Sequence, residues 1–290
     1  MPSAVEFNYF SAFSRNRGWL TEDEQKILST VRVGILGAGG VGGQYAEILT
    51  RLGVQHFVIW DPDQFAMENS NRQNECRTSN YGKNKADVIA VLIRDINPNA
   101  CVEVHVNSMS IEHVESFCRS IDFYFDGLDF FEIDVRIALF RKLRELGISA
   151  VTVAPIATGS SALVFTSKSM SFDNYFGFHT TSDPVERSLL FITGVTPTLM
   201  QRNYIAEKTS IDFAARRVPS LAMGVCSASS LAATTFLKII LQRGPVSVAP
   251  WSFHYDPYLM KVRRRYTWWG YRNPVQRLKR FIARIILKKA

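Results

Sequence analysis

Residues 37–42 read Gly-Ala-Gly-Gly-Val-Gly, and an acidic residue, Asp61, follows about twenty residues later. That spacing suits a nucleotide. Gly37 permits a tight turn, Gly39 and the adjoining Gly40 let backbone come close to a phosphate, and Gly42 lets a helix pack near its strand. The helix that starts there offers unpaired N–H donors to an anion, and Asp61 stands where ribose hydroxyls are held. Past Asp61 runs a polar, amide-rich stretch to residue 73 that carries Asp63, Asn69, Arg72 and Gln73. Pro62 breaks the strand, so this stretch reads as an exposed loop over the carboxyl end of a sheet, where open α/β sheets bind ligands. Farther on, Asp126-Gly127-Leu128-Asp129 closes another apolar run, and an acid just past a strand end can ligate Mg²⁺ beside a phosphate.

The elements that must position these residues follow from the hydrophobic pattern. Residues 31–36 and 56–60 are short apolar runs rich in β-branched residues and read as buried parallel strands, with a helix over about 43–52 between them. Together they form a mononucleotide-binding βαβ unit. A helix follows Lys85 and ends near Asn97-Pro98, then come a strand at 102–106, a helix at 112–119 and a strand at 122–125. Strands are expected again at 150–155 and 159–166, and an apolar helix at 222–241. Before the first strand, Thr21 and Glu24 spell a capping box for a short helix, and the aromatic arm at residues 7–17 needs a surface to dock on, its own body or a second subunit.

The composition sets outer limits. A chain of 290 residues with 47% hydrophobic and 21% charged content is globular. The opening residues lack the pattern of an export signal and no apolar run of about 18 residues is free of polar interruption, so the expected compartment is the cytoplasm. Four cysteines, Cys76, Cys101, Cys118 and Cys226, include no C-x-x-C pair. No zinc is expected from them, and each reads as a buried small hydrophobe. Eleven of the 34 basic residues fall between 261 and 290, where none of the 26 acids lies, so the body is mildly acidic and the basicity belongs to a tail.

Several separated motifs in one order are what make the chain resemble the ThiF/MoeB/HesA family, adenylating enzymes related to ubiquitin-activating enzymes. The resemblance runs from Phe13 to about Gly244. It rests on G-A-G-G-V-G, Asp61-Pro62-Asp63, Asn69-Ser70-Asn71-Arg72-Gln73, Gly82-Lys83-Asn84-Lys85, Ile96-Asn97-Pro98 and Asp126-Gly127-Leu128-Asp129. It implies that Asp61 binds the ribose of ATP, Asn69 and Arg72 its phosphates, Lys85 the phosphates near the reacting centre, and Asp129 the Mg²⁺. Arg15 resembles the family's N-terminal arginine, which reaches the γ-phosphate in the other subunit of a homodimer. The chemistry fits the charges: a carboxylate meeting the α-phosphate brings two anions together, so cations must sit where charge develops.

The expected fold class is thus α/β, a Rossmann-like, mostly parallel sheet with flanking helices. Residues 1–30 form an N-terminal arm and helix, 31–250 the adenylation domain with a crossover segment at about 167–219, and 251–290 a C-terminal antiparallel hairpin and basic tail. In the family the crossover covers the substrate's carboxyl tail; here it holds no cysteine, which disfavours a thioester relay. Around Asp256-Pro257 the pattern alternates as a hairpin, and after Asn273-Pro274 a basic amphipathic helix is expected, with Leu278, Phe281, Ile282, Ile285 and Ile286 on one side. That helix can dock its apolar side on the body, lie on an anionic membrane, or contact RNA. The expected substrate is the C-terminal carboxylate of a ubiquitin-like or sulfur-carrier protein or peptide. A tRNA-borne or small-molecule carboxylate is the alternative within the class, since residues 69–73 also resemble threonylcarbamoyl-adenosine dehydratases. From other classes, an NAD(P)-dependent oxidoreductase shares the glycines and Asp61 but has no use for Arg72, Lys85 and Asp129, and a non-catalytic scaffold has no need of them either.

Overall fold

The computed structural model describes residues 6–207 and 218–287. The first five residues of the expected N-terminal arm, part of the expected crossover and the last two residues of the expected tail helix lie outside them. In chain order the elements are α1 (Tyr9–Ala12), α2 (Glu22–Thr30), β1 (Arg32–Leu36), α3 (Gly40–Arg51), β2 (His56–Trp60), α4 (Lys85–Ile96), β3 (Cys101–His105), α5 (Ile111–Arg119), β4 (Phe123–Asp126) and α6 (Ile133–Glu145). There follow β5 (Ser149–Ile156), β6 (Gly159–Phe165), α7 (Phe172–Phe176), α8 (Pro184–Val195), α9 (Ala222–Ile240), β7 (Trp251–Asp256), β8 (Lys261–Tyr266) and α10 (Pro274–Leu287).

One sheet of eight strands carries them, in the order β3-β2-β1-β4-β5-β6-β7-β8. The first five run parallel, and β6, β7 and β8 add on antiparallel. The terminal hairpin is therefore part of the same sheet. Strand alternation divides the core: Val33, Ile35, Phe57, Ile59, Phe123 and Phe125 face α3, α4 and α9, while Val58, Trp60 and Tyr124 face α5 to α8. After β1 the chain winds toward β2 and β3, then returns to place β4 on the other side. The loops after β1 and β4 therefore diverge at a switch point, where such sheets open a crevice.

Some elements differ from the sequence reading. The helix after the glycines begins at Gly40, inside the glycine run. Helices α6 and α8 were not anticipated. The aromatic run at 172–178 is core: Phe172, Phe176 and Phe178 are buried and pack ring to ring with Phe140 and Phe191. Cys101 and Cys226 are exposed, and Cys76 and Cys118 buried. Strand β3 lies at the sheet edge, and Cys226 faces out from α9, so neither is filler. Helix α9 is long and apolar enough, by length and composition, to cross a membrane, yet its Ala228, Ala232 and Phe236 are fully buried in the core. The arm does dock on the body, with Phe13 buried and the Tyr9 hydroxyl donating to the carbonyl of Gly53, 2.7 Å away.

The tail helix forms as expected but turned over. Gln276 and Arg280 are buried, while Leu278, Phe281, Ile282 and Ile285 are exposed. The apolar side does not dock on the body. The inward side chains are donors that find carbonyls, Arg280 on Tyr271 at 2.7 Å and Lys279 and Gln276 on Pro197.

Under α10, His254 of β7 is buried, its ring bonded to the hydroxyls of Ser252 at 2.9 Å and Thr198 at 3.2 Å. Burial lowers its pKa from 6.5 to about 4, and Lys279 repels the proton further. The unfolded chain takes up this proton as pH falls through 6.5, while the folded chain resists until about 4. Stability is lost across that window, by up to about 3 kcal/mol. Urea unfolding is expected to show that loss in the native protein and to show it much reduced in His254→Gln.

Candidate active site

Asp61 ends the run of β2 and is buried. One carboxylate oxygen accepts the Ala38 N–H of the glycine turn at 2.6 Å, and the other accepts the Asp63 N–H at 2.8 Å. Burial raises its pKa, against the pull of Lys85 and of the two N–H donors. The glycine turn itself needs Gly37, whose φ is +90° and whose missing Cβ would fall 2.2 Å from the Gly127 carbonyl oxygen. By that contact the loop after β4 lies directly on the loop after β1. Gly42 is just as confined, a Cβ there falling 1.7 Å from the Gly37 oxygen. Gly39 is different: its Cβ would meet nothing nearer than the Gln73 amide at 3.6 Å. Open space above Gly39 lies beside the start of α3, which has no side-chain cap on its first N–H groups. A turn of uncapped N–H donors at a helix start attracts phosphate.

The loop from Asp61 to Gln73 folds over this turn. A Cβ on Gly40 would lie 3.5 Å from the Arg72 carbonyl oxygen, and Gln73 is buried beside Gly39. The Gln73 Oε1 atom is buried without a hydrogen-bond partner, as a group awaiting a donor would be. Asn69 is buried and braces its own turn through Oδ1, which accepts the Ala66 N–H at 3.0 Å. The Arg72 guanidinium donates to the Glu68 carbonyl at 3.0 Å and the Asn71 side chain at 2.9 Å.

Lys85 is the first residue of α4, and it is brought to the same place by Asn84. The Asn84 amide donates to the Asp61 carbonyl at 3.0 Å, while its oxygen caps α4 through the Asp87 N–H. The Lys85 ammonium is buried and donates to Asp63 at 2.8 Å, and Asp63 is itself largely exposed. The cation is thus held at the edge of the crevice by a carboxylate that water can reach.

Asp129 lies three residues past β4, exposed, with Oδ1 accepting the Phe131 N–H at 3.0 Å. What holds its loop is a residue that the sequence reading missed. Arg136 of α6 is buried and pairs with buried Asp126 through Nε at 2.9 Å, while its Nη2 donates to both the Leu128 and Asp129 carbonyls, at 2.9 and 3.1 Å. Breaking such a pair from one side strands a buried charge, at a cost of about 3–5 kcal/mol. The signal available in the sequence was Ile133, Leu139, Phe140 and Leu143 at helical spacing, with Arg136 on the same side.

Arg15 is not brought to this crevice. Its arm is pinned at the other end of α3, by Asn16 and Gln25 on the Leu52 carbonyl at 3.3 and 2.8 Å. A helix of 12 residues puts that end roughly 18 Å from the glycine turn. Arg15 is exposed and has no ion pair among the described residues. Among the described residues no three His, Cys, Asp or Glu side chains gather as a metal cage, so a metal at Asp129 takes its other ligands from the nucleotide or water.

The fold is that of an α/β protein of the mononucleotide-binding kind, with a crevice at the switch point of its sheet. The chain belongs to the ThiF family, whose profile matches residues 13–274. It is 34% identical over 119 residues to the tRNA threonylcarbamoyladenosine dehydratase of Bacillus subtilis, covering 41% of this chain and 44% of that one. It is also 32% identical over 151 residues to ubiquitin-like modifier-activating enzyme 5 of Rattus norvegicus, covering 48% and 36%. The matches thus span less than half of these relatives. Among solved structures, PaaA shares the fold with a TM-score of 0.67 at 16% identity, over 92% of this chain and 85% of that one. The E. coli MccB structure with ATP gives a TM-score of 0.63 at 16% identity, over 92% and 73%.

The glycines make a paired prediction. Gly37→Ala forces a positive φ and a clash with backbone, so it is expected to lower the melting temperature and abolish nucleotide binding together. Gly39→Ala fills only the open space, so it is expected to leave melting nearly unchanged and weaken ATP binding by tenfold or more, on the order of 1.4 kcal/mol. Calorimetric titration beside thermal melting separates the two.

Proposed function

We propose that this chain adenylates a carboxylate with Mg-ATP and releases pyrophosphate. A carboxylate oxygen attacks the α-phosphorus, an acyl–O–P bond forms, and the bond to the bridging oxygen breaks with its electrons leaving on pyrophosphate. No proton need come from the protein, because the attacking group is already ionised. What the chain supplies is position and charge. The glycine turn and the start of α3 receive phosphate oxygens, Lys85 and Arg72 meet the negative charge as it shifts toward the leaving group, and Asp61 orders the turn while reaching the ribose. Asp129 would hold a Mg²⁺ ion, which would neutralise phosphate charge.

The observation that carries this reading is Lys85, a buried ammonium beside Asp61 and the glycine turn, paired among the described residues with the exposed carboxylate of Asp63. A dinucleotide oxidoreductase has no triphosphate for it to meet. Family membership and the names of the relatives support the same chemistry.

For the substrate we favour the C-terminus of a ubiquitin-like or sulfur-carrier protein or peptide. The relatives named as ubiquitin-like modifier-activating enzyme 5 support it. A tRNA-borne carboxylate is the second reading, supported by relatives named as tRNA dehydratases in Bacillus subtilis and Escherichia coli. The arm pinned at the far end of α3 supports a homodimer in which Arg15 serves the partner's site. It cannot reach its own without leaving its anchors.

ATP–pyrophosphate exchange tests the proposal. Exchange is expected only when a carrier protein or peptide with a free C-terminus is added, and its appearance with tRNA instead would select the second reading. Lys85→Ala and Asp129→Ala are each expected to reduce exchange by about a hundredfold or more while the protein stays folded. Mixing Arg15→Ala with Asp129→Ala subunits is expected to restore part of the activity, because one site of each mixed dimer regains both residues. No recovery would remove Arg15 from catalysis in trans.

A further inference from the structure

Helix α10 turns its apolar stripe away from the protein. Leu278 is 58% exposed, Phe281 55%, Ile282 47% and Ile285 41%, at the i, i+3, i+4, i+7 spacing of one helical side. Among the described residues nothing covers them. Such a stripe of large side chains on a surface helix marks a contact with another apolar phase.

Beside the stripe, along the same helix, runs a groove of about 520 Å³ lined by Arg272, Arg277, Arg280 and Arg284 with Thr180 and Thr181. Glu186 is the acid facing it, and it is taken up by Arg284 in a two-pronged pair. Arg280 is tied to the Tyr271 carbonyl. Arg272 and Arg277 have no carboxylate partner among the described residues, so the groove keeps net positive charge. Arg265 of strand β8 lies close enough to Lys279 of α10 to repel its charge, and so adds to the same basic region. Trp269, just before α10, is exposed as well. Amphipathic rings beside a basic, apolar helix suit the boundary between headgroups and acyl chains.

Three occupants compete for this face. A second copy seated symmetrically would set the arginines of both stripes against each other, with no acids between residues 261 and 290 to neutralise them. A nucleic acid would answer the charge and leave the stripe in water. An anionic bilayer answers both. At 14 residues α10 is roughly 21 Å long, too short to span a hydrocarbon core of about 30 Å, so it would lie in the surface.

We propose that the outward face of α10 docks this protein on an anionic lipid surface, the stripe of Leu278, Phe281, Ile282 and Ile285 entering the headgroup boundary and the groove at Arg272 and Arg277 holding lipid phosphates. Binding at this face leaves the nucleotide crevice open, since that crevice lies at the switch point between β1 and β4 and α10 packs on α8.

Co-sedimentation of the full chain with vesicles tests it, using phosphatidylcholine alone and phosphatidylcholine mixed with phosphatidylglycerol. The protein is expected to partition onto the mixed vesicles and to stay in solution with the neutral ones. Phe281→Ser is expected to weaken partition roughly tenfold, and Arg277→Gln about fivefold. Both side chains are exposed, so melting should not change. No sedimentation with the anionic vesicles overturns the proposal. So does equal sedimentation of Phe281→Ser, which would reduce the contact to charge. A dimer in equilibrium ultracentrifugation that Phe281→Ser dissociates, or a tRNA complex that Arg277→Gln weakens and Phe281→Ser does not, each without vesicle binding, would assign the face to those partners instead.

Discussion

Asp61 ties three segments of the chain to one point. Its two carboxylate oxygens take N–H groups from the glycine turn and from the Asp-Pro-Asp turn, and its own carbonyl accepts the amide that caps α4. An ionised carboxylate taken out of water is costly, and here two N–H donors and the nearby ammonium of Lys85 offset that cost. Because the three segments share this residue, the glycine turn, the loop that bears Arg72 and Gln73, and the N-terminus of α4 cannot shift independently. Lys85 is where it is because Asn84 is fixed by Asp61.

The second support comes from the opposite side of the switch point. Arg136 reaches from α6 to Asp126 and then to the carbonyls of Leu128 and Asp129, so the loop after β4 is fastened to a helix rather than left to solvent. Gly37 seats the two loops against each other, since no side chain fits between its Cα and the Gly127 carbonyl. A crevice built this way holds its glycine-turn N–H donors in place without a bound nucleotide, and the proposed adenylation depends on such fixed donors.

Much of this was legible in the sequence, for a physical reason. The strand, the glycines, the helix and Asp61 are consecutive, and local spacing alone sets what they can do. The capping box at Thr21 and Glu24 likewise forms as written. Arg136 was legible only in part: its spacing put it on the apolar side of its helix, but its role depends on Asp126, which stands on a different element. The period of α10 was read correctly, but not its orientation. That depends on the carbonyls of Pro197 and Tyr271, which lie far along the chain or in a turn and which give Gln276, Lys279 and Arg280 partners that an apolar side would leave unpaired. Cys226 was misplaced for a similar reason: a mostly apolar helix such as α9 still has one side left exposed among the described residues.

Adenylation requires the crevice to be a triphosphate site rather than a dinucleotide site. Isothermal titration of the purified chain with Mg-ATP and, separately, with NAD decides this most directly. The account predicts that Mg-ATP binds, that Lys85→Ala weakens it at least about tenfold, and that NAD gives little or no heat. Tight NAD binding that Lys85→Ala leaves unchanged, with no binding of Mg-ATP, would contradict it.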